Sequence, residues 1–225
     1  MATHLLTGAG SGIGAALTDL LHGRGDSVVL LARSRRRADD LAMRWEGAQT
    51  LVADLADAGS IDDLELPETL DSVIHAAGVV DLGSVAEFTA QQWREHLHVN
   101  LLAPAALTRR MLPALRAGGG TVVFVNSGAG LHANPRWAAY AASKHGLRAL
   151  ADSLRAEEKD HGVRVTSVYP GRTATPMQKR VHDQEGKEYD AGEWIRPETV
   201  AETILRMLDL PRDATIPDVT VSPTP

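Results

Sequence analysis

Tyr140 and Lys144 stand four residues apart in the stretch YAASK. On a helix, that spacing puts both side chains on one face. A phenol with a pKa near 10 is a poor base at neutral pH. A neighbouring ammonium favours the phenolate and lowers that pKa. A tyrosine tuned in this way can take a proton or give one, depending on the direction of reaction. Ser127 ends the apolar run TVVFVNS, thirteen residues before Tyr140. A hydroxyl there can hydrogen-bond a substrate oxygen and stabilise charge developing on it. Taken alone, Ser127 reads better as the start of a turn before Gly128.

These side chains need a scaffold, and the chain alternates two kinds of segment. Apolar runs at residues 3–8, 27–32, 50–54, 72–78, 121–127, 163–171 and 218–222 predict about seven short strands. Their Val and Leu content lacks polar alternation, as expected where helices cover both faces of a parallel sheet. Between them lie helical patterns. Ile13, Leu17, Leu20 and Leu21 can share one face, a longer helix runs from near Ala90 to Gly118–Gly120, and another spans 136–160 before Gly162. The alternation predicts a Rossmann-type, doubly wound α/β sheet with helices on both faces. No linker, repeat or low-complexity tract interrupts it, so residues 1–225 read as one domain. Ligands of such sheets bind at the carboxyl ends of the strands, which is where Ser127 falls.

The first strand runs into TGAGSGIG, residues 7–14, which opens the first helix. Glycine lets backbone approach a phosphate without a Cβ in the way. The free N–H groups and dipole of a helix N-terminus attract anions. The spacing Thr7-Gly8-x-x-x-Gly12-x-Gly14 resembles the TGxxxGxG loop of the short-chain dehydrogenase/reductase family, and YAASK resembles that family's YxxxK motif.

The resemblance covers essentially the whole chain and implies a good deal. It implies strand order 3-2-1-4-5-6-7 and a pyrophosphate cradle built from Thr7, Gly8, Ser11, Gly12, Ile13 and Gly14. Asn100, in HVNLL, matches a fourth active-site residue beside Ser127, Tyr140 and Lys144, with the role of holding a water that relays protons to the lysine. Lys144 would lower the tyrosine pKa and, with Tyr140, meet the nicotinamide ribose. Asp54 would touch the adenine edge, with Leu55 giving a backbone contact, although an ordinary cap of the next helix is the competing reading for Asp54. Ala77 and Gly78 supply small size beside the cofactor. In PGRTATPM, Pro170 and Gly171 would shape a turn at the nicotinamide, while Thr173 and Thr175 would bind its carboxamide or the pyrophosphate. One position departs from the pattern: His75-Ala76-Ala77-Gly78 stands where the family usually has Asn-Asn-Ala-Gly, and His75 reads as structural.

The end of the second strand selects the cofactor. An acid there would accept from a ribose 2′-hydroxyl. This chain instead has Arg33, followed by Arg35, Arg36 and Arg37. A guanidinium fork suits a 2′-phosphate, so NADP(H) is expected over NAD(H), with Arg33 as the main contact. The expected function is hydride transfer between nicotinamide and a carbonyl or secondary alcohol. The alternatives are an NAD-linked dehydrogenase of the same family, or a dinucleotide sensor or scaffold without catalysis.

Composition narrows the rest. The chain has no cysteine, which fits a reducing, cytoplasmic setting. A net charge of −6 argues against a general nucleic-acid binder. Neither an apolar run of membrane-spanning length nor a secretory signal is evident. Nine histidines form no His-Glu-x-x-His motif, so no metal site is expected. The resemblance implies a homodimer or homotetramer. Residues 176–196 read as an irregular segment covering a small-molecule substrate, whose identity the sequence leaves open.

Overall fold

The computed structural model describes residues 1–57 and 59–224. Seven parallel strands form one sheet: β1 (Thr3–Thr7), β2 (Ser27–Ala32), β3 (Gln49–Val52), β4 (Ser72–His75), β5 (Thr121–Val125), β6 (Arg164–Pro170) and β7 (Asp218–Val221). Their order is β3-β2-β1-β4-β5-β6-β7. The chain reverses its direction of travel between β1 and β4, where Thr7 pairs with His75. A crevice opens beyond the carboxyl ends at such a switch point.

The strand sequences account for both covered faces. Consecutive strand residues point to opposite sides. Leu5, Val29, Val73, Val122 and Phe124 therefore pack with Leu107, Met111, Leu147 and Leu154 from α5 (Ala103–Gly118) and α6 (Ala138–Glu157). Their neighbours Leu6, Val28, Leu30, Ile74 and Val123 face the other way. They meet Leu17 and Leu21 of α1 (Gly12–Gly23), Leu41 of α2 (Arg35–Arg44) and Ile204 of α8 (Pro197–Leu208). Each fully buried aliphatic or aromatic side chain stabilises this arrangement by roughly 1.5–3 kcal/mol.

The long helix expected from Ala90 to Gly118 is made of three parts. α4 (Ala90–Leu97) starts with a reciprocal cap between Thr89 and Gln92. A π-helical turn covers His98–Leu102, where the Ala103 N–H bonds back to His98 O, and α5 continues from it. Pro104 has no N–H to return to the Asn100 carbonyl in an α turn, so the helix widens at that point. Gly119, in the left-handed conformation, ends it.

Residues 176–185, expected to be irregular, form α7 (Pro176–Glu185). The signals for a helix were present. Thr175 caps the Gln178 N–H, Pro176 occupies the first turn, and Gly186 closes the helix with φ 67°. No helix among the described residues is long and apolar enough to cross a membrane.

Candidate active site

The glycine loop is built by contact between backbones. Gly8 has φ 75°, and a Cβ there would lie 2.6 Å from the Ala76 carbonyl carbon and the Ala77 nitrogen. A Cβ on Gly14 would lie 2.3 Å from Gly8 O. Only hydrogen fits at either place. The loop is thereby held against the end of β4 and delivers its chain to the N-terminus of α1. Ser11 precedes that helix with its hydroxyl uncommitted to a cap. Thr7, expected in the cradle itself, is buried behind it, and its hydroxyl accepts the Ala77 N–H at 3.1 Å. It ties β1 to the β4 edge instead of facing the crevice.

Two cavities meet at this loop and share Gly8, Ser11, Ala77 and Gly78. One, of about 590 Å³, reaches Arg33, Arg37, Asp54 and Leu55. The other, of about 450 Å³, reaches Ile13, Ser127, Tyr140, Lys144, Pro170, Gly171, Thr173 and Thr175. Together they make a trough with a phosphate-sized cradle at its middle and a nucleoside-sized space on either side. That shape and the donor-rich helix terminus fit a dinucleotide. At the first end, Asp54 accepts the Ala56 N–H at 3.0 Å in a turn ahead of the short helix α3 (Gly59–Asp62), whose Gly59 N–H is taken by Asp57, so Asp54 does not cap that helix and lines the space. Arg35 and Arg36 line neither cavity. Arg37 does, and its guanidinium lies over Gly10, where a Cβ would stand 2.7 Å from Nη2. The sequence did not single out that pairing, because it brings α2 onto a loop 27 residues away in the chain.

At the other end, α6 presents Tyr140 and Lys144 on one buried face, with Nζ 5.9 Å from the centre of the phenol ring. Ser127 follows β5, its Oγ accepts the Ala129 N–H at 3.1 Å, and it lines the same cavity as Tyr140. Burial raises the phenol above its ordinary pKa, and the Ser127 hydroxyl only partly offsets it. The net direction is upward, against the lowering an ammonium alone would give, because removing water from the phenol dominates. Lys144 itself is pushed down to about 8 by burial, and its Nζ donates to Val125 O at 3.0 Å.

Asn100 lies in the π turn and is almost fully buried. Its Oδ1 accepts the Val79 N–H at 2.9 Å, and its Nδ2 donates to Val79 O at 2.9 Å and to Ser143 Oγ at 3.0 Å. Ser143 passes the connection on, donating to Tyr140 O at 2.7 Å. Both amide donors are thus committed to protein partners, and Oδ1 holds the Val79 N–H while keeping one acceptor position. The side chain braces the site. Asn126 makes a parallel brace, donating from Nδ2 to Lys144 O at 3.1 Å. Ser143 and Asn126 were not predicted, although each adjoins a predicted residue in sequence. Gly78 sits among these groups: a Cβ there would be 3.2 Å from Asn100 Oδ1 and 3.9 Å from Lys144 Nζ.

His75 is buried beneath the site. Its Nε2 bonds Thr108 Oγ1 at 2.8 Å, and its ring stacks on Phe124 with centroids 5.0 Å apart. Burial, and then the charge of Lys144, push its pKa down to about 3. It is a neutral strut between β4 and α5. His96, also buried, has its ring nitrogens assigned by their partners. Nδ1 donates to Gln92 O, and Nε2 accepts the Asp81 N–H. No group of three potential metal ligands occurs among the described residues.

Thr173 and Thr175 reach the trough from the segment after β6. The Thr173 hydroxyl donates to Gly171 O at 3.0 Å, and the Thr175 hydroxyl caps α7. The Thr175 methyl closes on the glycine loop, since a Cβ on Gly12 would meet Cγ2 at 2.9 Å. Pro176, Met177, Gln178 and Val181 of α7 complete the wall.

A parallel sheet in this order, with a glycine cradle at its switch point and a half-buried Ser beside a buried Tyr and Lys beyond it, defines a dinucleotide-binding oxidoreductase architecture. Residues 2–186 match the family model described as short chain dehydrogenase, and the chain belongs to that family. It is 27% identical over 226 residues to an uncharacterized oxidoreductase of Staphylococcus epidermidis, covering 97% of this chain and 96% of that one. It is 32% identical to a dehydrogenase/reductase SDR family protein 7-like of Drosophila melanogaster, covering 91% and 68% of the two chains. Among solved structures, an alcohol dehydrogenase from Thermococcus sibiricus complexed with 5-hydroxy-NADP superposes with a TM-score of 0.84 at 25% identity, covering 98% and 96%.

Proposed function

We propose that this oxidoreductase is an NADP(H)-dependent carbonyl reductase or alcohol dehydrogenase with Tyr140 as acid and base. One observation carries the reading: the phenol, set beside Lys144, lines the same trough as Ser127 and the glycine cradle. The pyrophosphate would rest on Gly8, Ser11, Gly12, Ile13 and Gly14. Asp54 and Leu55 would flank the adenine, and Arg33 with Arg37 would meet the 2′-phosphate. Ala77, Gly78, Pro170, Gly171, Thr173 and Thr175 would enclose the nicotinamide, with Lys144 and Tyr140 at its ribose. The NADP analogue held by the Thermococcus relative supports this choice.

A reduced nicotinamide bound there supplies hydride. The chain's own residues handle the proton and the geometry. Tyr140 Oη gives its proton to the substrate carbonyl oxygen, and a phenol whose pKa is raised by burial remains protonated and ready to do so. The Ser127 hydroxyl donates a hydrogen bond to the same oxygen and orients it. Lys144, with a pKa of about 8, is mostly cationic at neutral pH and favours charge on the phenol as the proton leaves. Asn100 and Ser143 keep α6 registered against the Val79 backbone so that these groups converge.

The test is NADPH oxidation with a panel of aldehydes and ketones. Tyr140→Phe should bind NADPH as the wild type does and lose turnover by about 10²–10⁴-fold. Turnover retained by that variant across the panel would refute the role.

A further inference from the structure

We infer that the carbonyl substrate is a neutral molecule whose apolar group, aryl or branched alkyl, packs on Trp137. This rests on the oxidoreductase reading and names the substrate class for the same site. On the Tyr140 side the wall of the 450 Å³ cavity carries Val80, Ala129, Trp137, Met177 and Val181, and its polar members Ser127, Asn134 and Gln178 are uncharged. Val80, Ala129 and Val181 are buried with Tyr140 in one small cluster, against which Trp137 and Leu82 pack. The indole meets the phenol edge-on, with ring centres 5.7 Å apart at 64°.

Charge on this wall is sparse. No Asp or Glu lines the cavity. Its cations are Lys144, bonded to Val125 O, and Arg172. Arg172 makes a two-point pair with Glu185, at 3.0 and 2.6 Å, and stacks on Trp194. At the rim, Asp81 is paired with Arg180 and also accepts from Gln184 Nε2 at 2.8 Å. A carboxylate or phosphate near the reacting carbonyl would find only Lys144, which the proposed ribose contact and Tyr140 engage, and an ammonium would find no free acid. Either would lose water without a compensating partner.

The backbone bears out Trp137 as a placed residue. Arg136, just before it, has φ 70°, the only positive φ at a non-glycine position among the described residues. Its carbonyl accepts the Gly83 N–H at 2.9 Å, which docks the turn onto the loop carrying Val80 and Leu82. Backbone outliers of this kind persist where surrounding structure fixes them, and they cluster at ligand sites. Here the turn aims the indole at the phenol.

The experiment compares matched carbonyl pairs with NADPH and the full chain: benzaldehyde against 4-carboxybenzaldehyde, and ethyl benzoylformate against benzoylformate. Calorimetric binding of the same compounds to the NADP⁺-loaded protein runs alongside. The neutral member of each pair should have the higher kcat/KM, by about tenfold or more. Trp137→Ala should raise KM for the aryl substrates and weaken their calorimetric binding by about tenfold, whereas Trp137→Phe should restore most of both. NADPH affinity should be unchanged in both variants, which separates a pocket role from a folding defect. Preferred turnover of the carboxylates would overturn the inference and leave the oxidoreductase reading standing. Trp137-dependent binding of the neutral compounds with no turnover of any carbonyl would uphold the pocket's chemistry and overturn the oxidoreductase reading. Binding of neutral compounds that ignores Trp137 would overturn the inference.

Discussion

Asn100 closes both edges of its amide on one residue, taking the Val79 N–H and giving to the Val79 carbonyl, each at 2.9 Å. The contact spans 21 residues and joins the π turn to the loop beyond β4. Gly78, next to Val79, lines both halves of the trough. Asn100→Ala should therefore leave two backbone groups and Ser143 without their partner and destabilise the fold by about 1–3 kcal/mol. It should also raise the Kd for NADPH, because the Gly78 wall loses its brace. Asn100→Asp keeps the acceptor but turns an oxygen toward the Val79 carbonyl, so it should rescue little. Urea unfolding and NADPH fluorescence titration read both effects. An Ala variant with unaltered midpoint and affinity would rule out the brace.

The pH profile of reduction should follow Lys144. Its folded pKa lies at about 8, below the ordinary lysine value, because burial disfavours its charge. The cation is present below that pH and lost above it. The Tyr140 phenol, raised by burial, keeps its proton through the same range. kcat/KM for carbonyl reduction should accordingly fall as pH rises through about 8, well before a phenol limb appears. A profile flat to pH 10 would contradict the assignment of that limb to Lys144.

Arg33 and Arg37 both border the adenosine end of the trough, and Arg37 also pairs with Asp40 at 3.3 Å. A charge-assisted bond to a phosphate contributes about 1.5–3 kcal/mol. Arg33→Ala should therefore weaken NADPH binding by about tenfold or more, with NADH binding nearly unchanged. Arg37→Ala should lose less, since its guanidinium is shared with Asp40, and the double variant should bind the two cofactors about equally. Parallel loss for NADH and NADPH would show that the arginines serve the loop and not the phosphate.

What could be read in the sequence was local. Strand runs rich in Val and Leu, the cradle spacing, and the i, i+4 relation of Tyr140 and Lys144 each depend on a few neighbouring residues, and the sheet order follows the family. Contacts made across the sheet were not readable. Nothing near Asn100 in the chain points to Val79, nothing near Gly10 points to Arg37, and nothing near His75 points to Thr108. The direction of the phenol's pKa was hidden for a related reason. The spacing announces an ammonium nearby, but not how thoroughly α6 buries both groups. α7 is a different case: Thr175, Pro176 and Gly186 are local start and stop signals, outweighed in the reading by the density of charge between them.

His75 should give the fold a separable acid sensitivity. Its pKa is about 3 when folded, against an ordinary value of 6.5, because burial and Lys144 both oppose its charge. Between those two values the unfolded chain binds a proton that the folded chain refuses. Stability from this group is complete above about pH 6.5 and is lost as pH falls toward 3, at up to about 1.4 kcal/mol per pH unit. His4, whose pKa burial also lowers, acts in the same direction, so the wild-type curve alone cannot isolate His75. His75→Asn can. Asn keeps a polar group near Thr108 Oγ1 but cannot titrate, and it gives up the stacking on Phe124. At pH 8 the variant should be somewhat less stable than the wild type. Urea midpoints taken stepwise down to pH 4.5 should then converge, because only the wild type keeps losing the His75 contribution. Curves that stay parallel over that range would show that His75 titrates alike in the folded and unfolded chain.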